Sequence, residues 1–205
     1  MMLLAIAALA RFPTASLVLW IVGSGVQLVF TLVILSNWMH HEKFQVQHSN
    51  PAWFIPIVGN ILVPIAGMPL GFTEVSWFYF SVGLMMWIPL LAVLLNRFFF
   101  HPMLPGKLLP TLFILIAPPA VGFIAWVKLH HGVVDDAARI FYYFALFTTL
   151  LLFSQIRHFV KLAFALPWWA YSFPLAAMTI ASTVMLEKVG GGFFALLVPA
   201  LDARR

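Results

Sequence analysis

Long runs of apolar residues alternate along the chain with short polar segments. A membrane-spanning helix needs about 20 mostly apolar residues; six runs are long enough, whereas the runs 1–10 and 190–201 are only partial spans. The six predicted spans are 16–38, 53–71, 76–99, 108–128, 138–156 and 167–186. Short connections favour antiparallel neighbours. The pattern therefore predicts an all-α membrane protein in which residues 1–205 form a single transmembrane domain.

Proline and glycine interrupt every second span. Residues 49–69 read SNPAWFIPIVGNILVPIAGMP and carry four prolines, and the fourth and sixth spans are interrupted in a similar way. Proline removes a backbone donor and bends a helix, and in lipid the freed carbonyl needs a protein or water partner. We therefore expect helical hairpins in which a proline-kinked inner helix faces a pore and a straighter outer helix faces lipid. The alternative is that membrane helices are simply richer in glycine and proline.

The composition indicates whether water or lipid surrounds these helices. Hydrophobic residues make up 63% of the 205 residues and charged residues only 8%, whereas about a quarter of a soluble domain is charged. So few charges cannot cover a water-exposed exterior, which predicts that the lipid bilayer surrounds the chain. The net charge is +5, but the basic residues lie singly in loops, so nucleic acid is not expected as a partner.

The loops on the two sides of the membrane differ in basic residues. One side carries seven, if the C-terminal tail lies there, and the other four: Lys43, Arg97, Lys107, Arg157, Lys161, Arg204 and Arg205 against Arg11, Lys128, Arg139 and Lys188. Cytoplasmic loops carry the excess of lysine and arginine. The distribution therefore predicts that the loop 39–52 is cytoplasmic.

Three motifs in the proline-rich spans carry a family resemblance. They read NPAWFIPIVGNILVPIAG, LPTLFILIAPPAVGF and WWAYSFPLAA. With them the chain resembles the tellurite-resistance/C4-dicarboxylate transporter family, which includes bacterial TehA-type proteins, fungal malate permeases and sulfite pumps, and plant slow-type anion channels. The resemblance covers about residues 12–195. It implies ten helices in five hairpins around a central pore, a homotrimer with one pore per subunit, and the bacterial inner (plasma) membrane.

The resemblance also implies how the chain maps onto that fold. Matched in order, the six spans correspond to family helices four to nine, with 1–10 as the end of helix three and 190–201 as the start of helix ten. On this interpretation the chain is truncated and forms a partial five-hairpin fold. In the family a phenylalanine of helix nine blocks the pore, and the motif WWAYSFP makes that residue Phe173.

Polar residues and prolines of the kinked spans are the candidate pore-lining residues. They are Pro56, Asn60, Pro64, Thr111, Pro118, Pro119, Ser172, Pro174, Thr179 and Ser182. The spans hold almost no charge, so helix ends, backbone dipoles and loop residues would make the pore weakly positive. The polar side chains would then contact a hydrated anion. The alternative is hydrogen bonding between helices, which membrane Ser, Thr and Asn commonly perform.

Other chemistry finds little support in the sequence. The chain has no cysteine, and its seven histidines lie at or between span ends without a metal-binding spacing. Neither a metal nor a cofactor is therefore expected. Asp135 and Asp136 precede the fifth span and are expected to cap its helix. Because nucleotide-binding and nucleophile motifs are absent, an enzyme is not expected either.

Three functions are left open by the sequence. The leading hypothesis is a channel or transporter in which anions flow passively, or driven by the membrane potential, through a central pore gated by Phe173. One alternative is a proton-coupled carrier of C4-dicarboxylates such as malate, although carriers usually hold ionisable residues inside the membrane. The other is a non-conducting truncated fragment of such a transporter. Small anions or dicarboxylates are the expected substrates.

Overall fold

The computed structural model describes residues 1–40, 49–162 and 164–195, and within these ranges every regular element is a helix. The α-helices are α1 (Met2–Ala8), α2 (Pro13–His40), α3 (Ile55–Gly67), α4 (Thr73–Phe100), α5 (Ala117–Leu129), α6 (Asp136–Ser154), α7 (Ile156–Val160) and α8 (Ser172–Val189). Three 3₁₀ segments lie at Pro51–Phe54, Gly106–Ile116 and Leu166–Tyr171. The predicted all-α class is confirmed.

Five helical stretches of the described chain are long and apolar enough to cross a membrane. They are Pro13–His40, Thr73–Phe100, Gly106–Leu129, Asp136–Ser154 and Leu166–Val189. Each matches a predicted span to within a few residues. Most of the loop predicted to be cytoplasmic and the end of the partial span 190–201 lie outside the described residues.

The second predicted span is shorter than the sequence suggested. It runs over Pro51–Gly67, and its 3₁₀ and α-helical rises add up to about 27 Å, close to the roughly 30 Å of a bilayer core. The helix ends at Gly67 because the chain turns there: Phe72 N donates to the carbonyl of Gly67 at 2.9 Å. Gly71 takes a φ of 88°, a left-handed conformation that suits glycine.

Each proline-rich span begins as a 3₁₀ segment and continues as an α-helix. Pro56 is the second residue of α3, Pro118 and Pro119 are the second and third residues of α5, and Pro174 is the third residue of α8. In the first turn of an α-helix the N–H groups have no intrahelical acceptor, so proline is tolerated there. Of these candidate prolines, Pro64 lies inside its α-helix. Most of the expected kinks are therefore changes from 3₁₀ to α-helical backbone.

The chain divides into two compact units. Unit 1 comprises Met1–Ser49 and Trp53–Pro102, and unit 2 comprises Asn50–Ala52 and Met103–Arg205. The prediction that the whole chain forms one transmembrane domain stays a prediction.

In unit 1, α3 packs against both α2 and α4 and is buried on most of its surface. Side chains of α1 to α4 form its core: Met2, Ala5, Trp20, Val63, Ala66 and Tyr79. Polar tips inside this core reach backbone carbonyls, since Trp20 Nε1 donates to Val63 O at 2.9 Å and Tyr79 Oη to Ser24 O at 2.7 Å. By contrast, α2 and α4 expose many large apolar side chains. In unit 1 a buried proline-containing helix thus packs between two helices with exposed apolar surfaces, and the expectation that the proline-containing helix faces a pore stays a prediction.

In unit 2, α5 is the most buried helix and packs against α6 and α8. Tyr142 of α6 lies in the core of this unit with no exposed surface. Its ring lies 5.6 Å from that of Phe123 and 5.7 Å from that of Phe194. Its hydroxyl lies 3.1 Å from Ser182 Oγ on α8. A single tyrosine therefore joins α5, α6 and α8.

Candidate functional site

The candidate pore-lining residues are divided between the two units. Unit 1 holds Pro56, Asn60 and Pro64. Unit 2 holds the other candidates: Thr111, Pro118, Pro119, Ser172, Phe173, Pro174, Thr179 and Ser182. A pore lined by both sets stays a prediction.

In unit 1, a cluster of hydrogen bonds joins α2 to α3. Asn60 has no exposed surface, and its Nδ2 donates to Thr31 Oγ1 at 2.9 Å and to Pro56 O at 3.1 Å. The same carbonyl lies 2.8 Å from Gln27 Nε2 and 3.0 Å from Thr31 Oγ1. We call Gln27, Thr31, Pro56 and Asn60 the α2–α3 polar cluster. Gly59 leaves room for it, because a Cβ there would lie 2.5 Å from Gln27 Nε2.

The polar cluster bears on whether Asn60 contacts an anion. Its amide nitrogen is occupied by protein acceptors, and its Oδ1 is buried without a hydrogen-bond partner among the described residues. An amide oxygen is an acceptor and does not bind anions. In this arrangement Asn60 joins α2 to α3, and its contact with an anion stays a prediction.

The hydroxyl candidates of unit 2 also bond within the protein. Thr111 Oγ1 donates to Leu108 O at 2.6 Å, Ser172 Oγ to Trp169 O at 2.8 Å and Thr179 Oγ1 to Leu175 O at 3.0 Å. These are local bonds to the preceding turn. Thr111 and Ser182 are buried, whereas Ser172 is exposed. The candidate prolines of both units are buried.

Phe173 is the second residue of α8 and is half-buried. An aromatic cluster fixes the 3₁₀ segment that precedes it. The ring of Tyr171 lies edge-on to Phe113 at 4.5 Å, and that of Trp168 lies 5.6 Å from Tyr171. Phe159 of α7 completes the cluster at 5.1 Å from Phe113. Edge-to-face rings add about 0.5–1.5 kcal/mol each beyond their burial, so the backbone before Phe173 is held on several sides.

The aromatic cluster and the partners of Asn60 were missed by sequence reasoning. The motif WWAYSFP was used only for its phenylalanine, and its Trp168 and Tyr171 were given no packing role. A high density of aromatic residues was the available signal for the cluster. Gln27 and Thr31 lie on a span that looked smooth, and their four-residue spacing, typical of one helix face, was the signal for the polar cluster.

Asp135 connects α5 to α6 at one end of unit 2. Its Oδ1 accepts from Ala138 N at 2.8 Å and from Trp126 Nε1 at 2.8 Å. The bond from the Ala138 N–H, more than any other contact, holds the pKa of Asp135 below its usual 3.8, and Trp126 and His130 lower it further. The predicted role of Asp135 as a helix cap is confirmed.

The fold and these contacts define an integral membrane protein with buried, proline-containing helices whose charged residues lie near the ends of the spans. The family profile described as SLAC1, voltage-dependent anion channel, matches residues 1–201. The chain therefore belongs to this family, which confirms the resemblance found in its motifs.

Three relatives illustrate the range of the family. A protein of Methanocaldococcus jannaschii described as an uncharacterized transporter is 30% identical over 85% of this chain and 57% of its own length. The S-type anion channel SLAH2 of Arabidopsis thaliana is 32% identical over 80% of this chain and 32% of its own length. The tellurite resistance protein TehA homolog of Haemophilus influenzae is 26% identical over 82% of this chain and 51% of its own length. The chain thus spans about half the length, or less, of these relatives.

Proposed function

We propose that this chain conducts anions across a membrane, passively or driven by the membrane potential, through a pore gated by Phe173. The observation that carries the proposal is the family match over residues 1–201, together with the S-type anion channels among the relatives. The family consists of channels and transporters, so transport is favoured over enzymatic catalysis.

The position of Phe173 supports its proposed role as the gate. The aromatic cluster holds the segment before it, and Pro174 after it is buried. The ring itself is half-buried, and the proposed gating requires it to turn while its backbone is held. A phenylalanine ring in a narrow apolar passage blocks ions by its volume and by excluding water.

The local hydrogen bonds suggest how anions would be selected. Thr111, Ser172 and Thr179 already donate their hydroxyl hydrogens to backbone carbonyls. Selection would then rest on the positive potential of basic loops and helix ends rather than on dedicated donors. Such a pore would distinguish anions from cations but discriminate weakly between one small anion and another.

The test is anion flux from liposomes that contain the chain with and without Phe173→Ala. We expect the substitution to raise chloride and nitrate flux at least about tenfold, which corresponds to a barrier lower by about 1.4 kcal/mol. Phe147→Ala is the matched control, because it removes a ring that is 60% exposed on α6. Equal flux from both substituted proteins would contradict the gate.

Because the chain spans about half of its relatives, flux is measured in two forms. One is the 205-residue chain, and the other is a chimera in which it replaces the matched segment of the Methanocaldococcus jannaschii transporter. If neither form conducts even with Phe173→Ala, the proposal fails. Conduction by the chimera alone would favour the hypothesis that the 205 residues are non-conducting by themselves.

The carrier hypothesis gives a different result in the same liposomes. A proton-coupled carrier would take up malate with saturation, and the uptake would depend on a pH gradient. A channel would show flux that follows the membrane potential and does not saturate in this way. The proposed homotrimer is tested by native mass spectrometry of the purified protein.

A further inference from the structure

Arg97 is a buried cation at the end of α4. Its side chain is 4% exposed, although the sequence places it among the loop charges of one membrane side. It follows Trp87, Leu90 and Leu94 on the buried face of its helix, with the spacing of three and four residues that marks one face. Arg97 therefore lies on the protein-facing side of α4 rather than on its lipid-facing side.

The described residues supply hydrogen-bond acceptors for only part of the Arg97 guanidinium group. Its Nη1 donates to the carbonyl oxygen of Pro102, just beyond the helix. Its Nε is buried with no hydrogen-bond partner in the part of the chain that the structure describes. Among the described residues no carboxylate forms an ion pair with it. The negative end of α4 favours a cation in its last turn, but one carbonyl and a helix end do not replace the hydration that a buried guanidinium loses.

The unpartnered Nε indicates the shape of the missing partner. A guanidinium presents its donors in a planar fork that matches two oxygens of a carboxylate or phosphate group. Pro102 occupies Nη1, which leaves the edge formed by Nε and the other terminal nitrogen. We propose that this edge of Arg97 binds an oxyanion, either a phosphate or a carboxylate group. A halide ion would use this pair of parallel donors less well.

The surroundings of Arg97 allow two sources for such a group. Phe99 and Phe100 follow at the end of α4 and are 69% and 77% exposed, as expected for a segment that meets lipid. A lipid phosphate and a phosphate dissolved in water would both reach a helix end at the membrane surface, and binding requires the Arg97 side chain to turn so that its buried Nε meets the oxyanion. The shared chemistry is a negatively charged oxyanion, and the site is proposed whether or not the chain conducts.

Thermal unfolding in lipid nanodiscs tests the site without any flux measurement, since a ligand that binds the native state raises the unfolding midpoint. In the first arm, sodium phosphate replaces sodium chloride at constant ionic strength in phosphatidylcholine nanodiscs. In the second, phosphatidylglycerol replaces part of the phosphatidylcholine without free phosphate. The variants are Arg97→Gln, Arg97→Lys and, as the matched control, Lys107→Gln, which removes a charge from an exposed side chain.

We expect the unchanged chain and Lys107→Gln to be stabilised saturably in at least one arm, and Arg97→Gln to bind at least about tenfold more weakly. A response in the first arm alone assigns a free oxyanion, and a response in the second alone assigns a lipid headgroup. No response of the unchanged chain in either arm, or an equal response from Arg97→Gln, overturns the site. If Arg97→Gln does not fold, Arg97→Lys decides: weaker binding supports the planar fork, and unchanged binding overturns it.

Discussion

Asn60 shows how a single polar side chain can be accommodated inside an apolar helix bundle. Its amide hydrogens reach Thr31 Oγ1 and the carbonyls of Pro56 and Ile57. Because Pro64 has no N–H, the backbone carbonyl of Asn60 also lacks its usual helical donor. The polar cluster thus lies one turn before the interior proline of α3, where the helix has lost a bond of its own and gains bonds from α2.

Replacing Asn60 by alanine is expected to destabilise the protein by about 1–3 kcal/mol, because it removes the bonds to α2 and leaves a cavity. The measurement is the free energy of unfolding by SDS titration in mixed micelles. Ser172→Ala is the control, since that exposed hydroxyl bonds only to the preceding turn, and its effect should be within about 0.5 kcal/mol. Equal losses in both proteins would contradict a joining role for Asn60.

Asp135 predicts a pH dependence of stability at the start of α6. The pKa of Asp135 lies below 3.8 in the folded protein, so the folded state favours the charged form. Its contribution is therefore fully present above the unfolded pKa and is lost as the pH falls through the folded pKa. We expect the unfolding midpoint to fall as the pH drops below 3.8, and to fall less in Asp135→Asn, which keeps a capping oxygen without the charge. Identical acid profiles would argue against the prediction.

At the scale of elements, the contact between α3 and α4 depends on a missing side chain. A Cβ at Gly83 would lie 2.5 Å from Ile61 Cγ1 and 3.1 Å from Ile61 N. The backbone nitrogen cannot move away without shifting α3. Glycine at this position therefore lets the buried helix and its outer neighbour approach closely, as small residues do in membrane helix pairs.

Gly83→Ala is expected to cost about 1–3 kcal/mol by overpacking the contact between α3 and α4. Gly25→Ala is the matched control, because no atom lies within 4 Å of the Cβ that it would add on α2. That change should be neutral or stabilise by up to about 1 kcal/mol through helix propensity. Thermal unfolding in nanodiscs compares the two, and a Gly83→Ala protein as stable as Gly25→Ala would show that α4 can move aside.

The 3₁₀ segments explain why the proline-rich spans remain continuous. Prolines that would break an α-helix in its middle lie in the first turn of α3, α5 or α8, directly after a 3₁₀ segment. At these prolines the backbone changes its helix type where an N–H is missing, whereas Pro64 and Pro89 lie inside the α-helices α3 and α4.

At the scale of the whole molecule, the distribution of basic residues predicts the orientation in the membrane. The chain has no cysteine. A single introduced cysteine is therefore the only site that a maleimide can label, and its labelling shows on which side of the membrane it lies. We expect a membrane-impermeant maleimide to label Val133→Cys, at a residue that is 59% exposed, in intact cells. Gln47→Cys, in the loop predicted to be cytoplasmic, should be labelled only after permeabilisation. The reverse pattern would contradict the orientation.

The sequence by itself determined that lipid surrounds the helices, that the protein is all-α, and where most of the spans begin and end. These follow from the length of apolar runs and from local chemistry, as does the cap at Asp135, whose partner Ala138 lies three residues away. The family motifs added Phe173 as the candidate gate. Each of these features depends on residues close together in the chain, and so a linear pattern reveals it.

Only the tertiary structure decided which polar groups form hydrogen bonds with the protein and which are buried without a partner among the described residues. Asn60 meets Thr31 across 29 residues of sequence, and Gly83 matters only because Ile61 lies against it. Arg97 counted as a loop charge until packing buried it on α4. The physical reason is that burial and hydrogen bonding depend on neighbours that packing brings together, and those neighbours lie far apart along the chain.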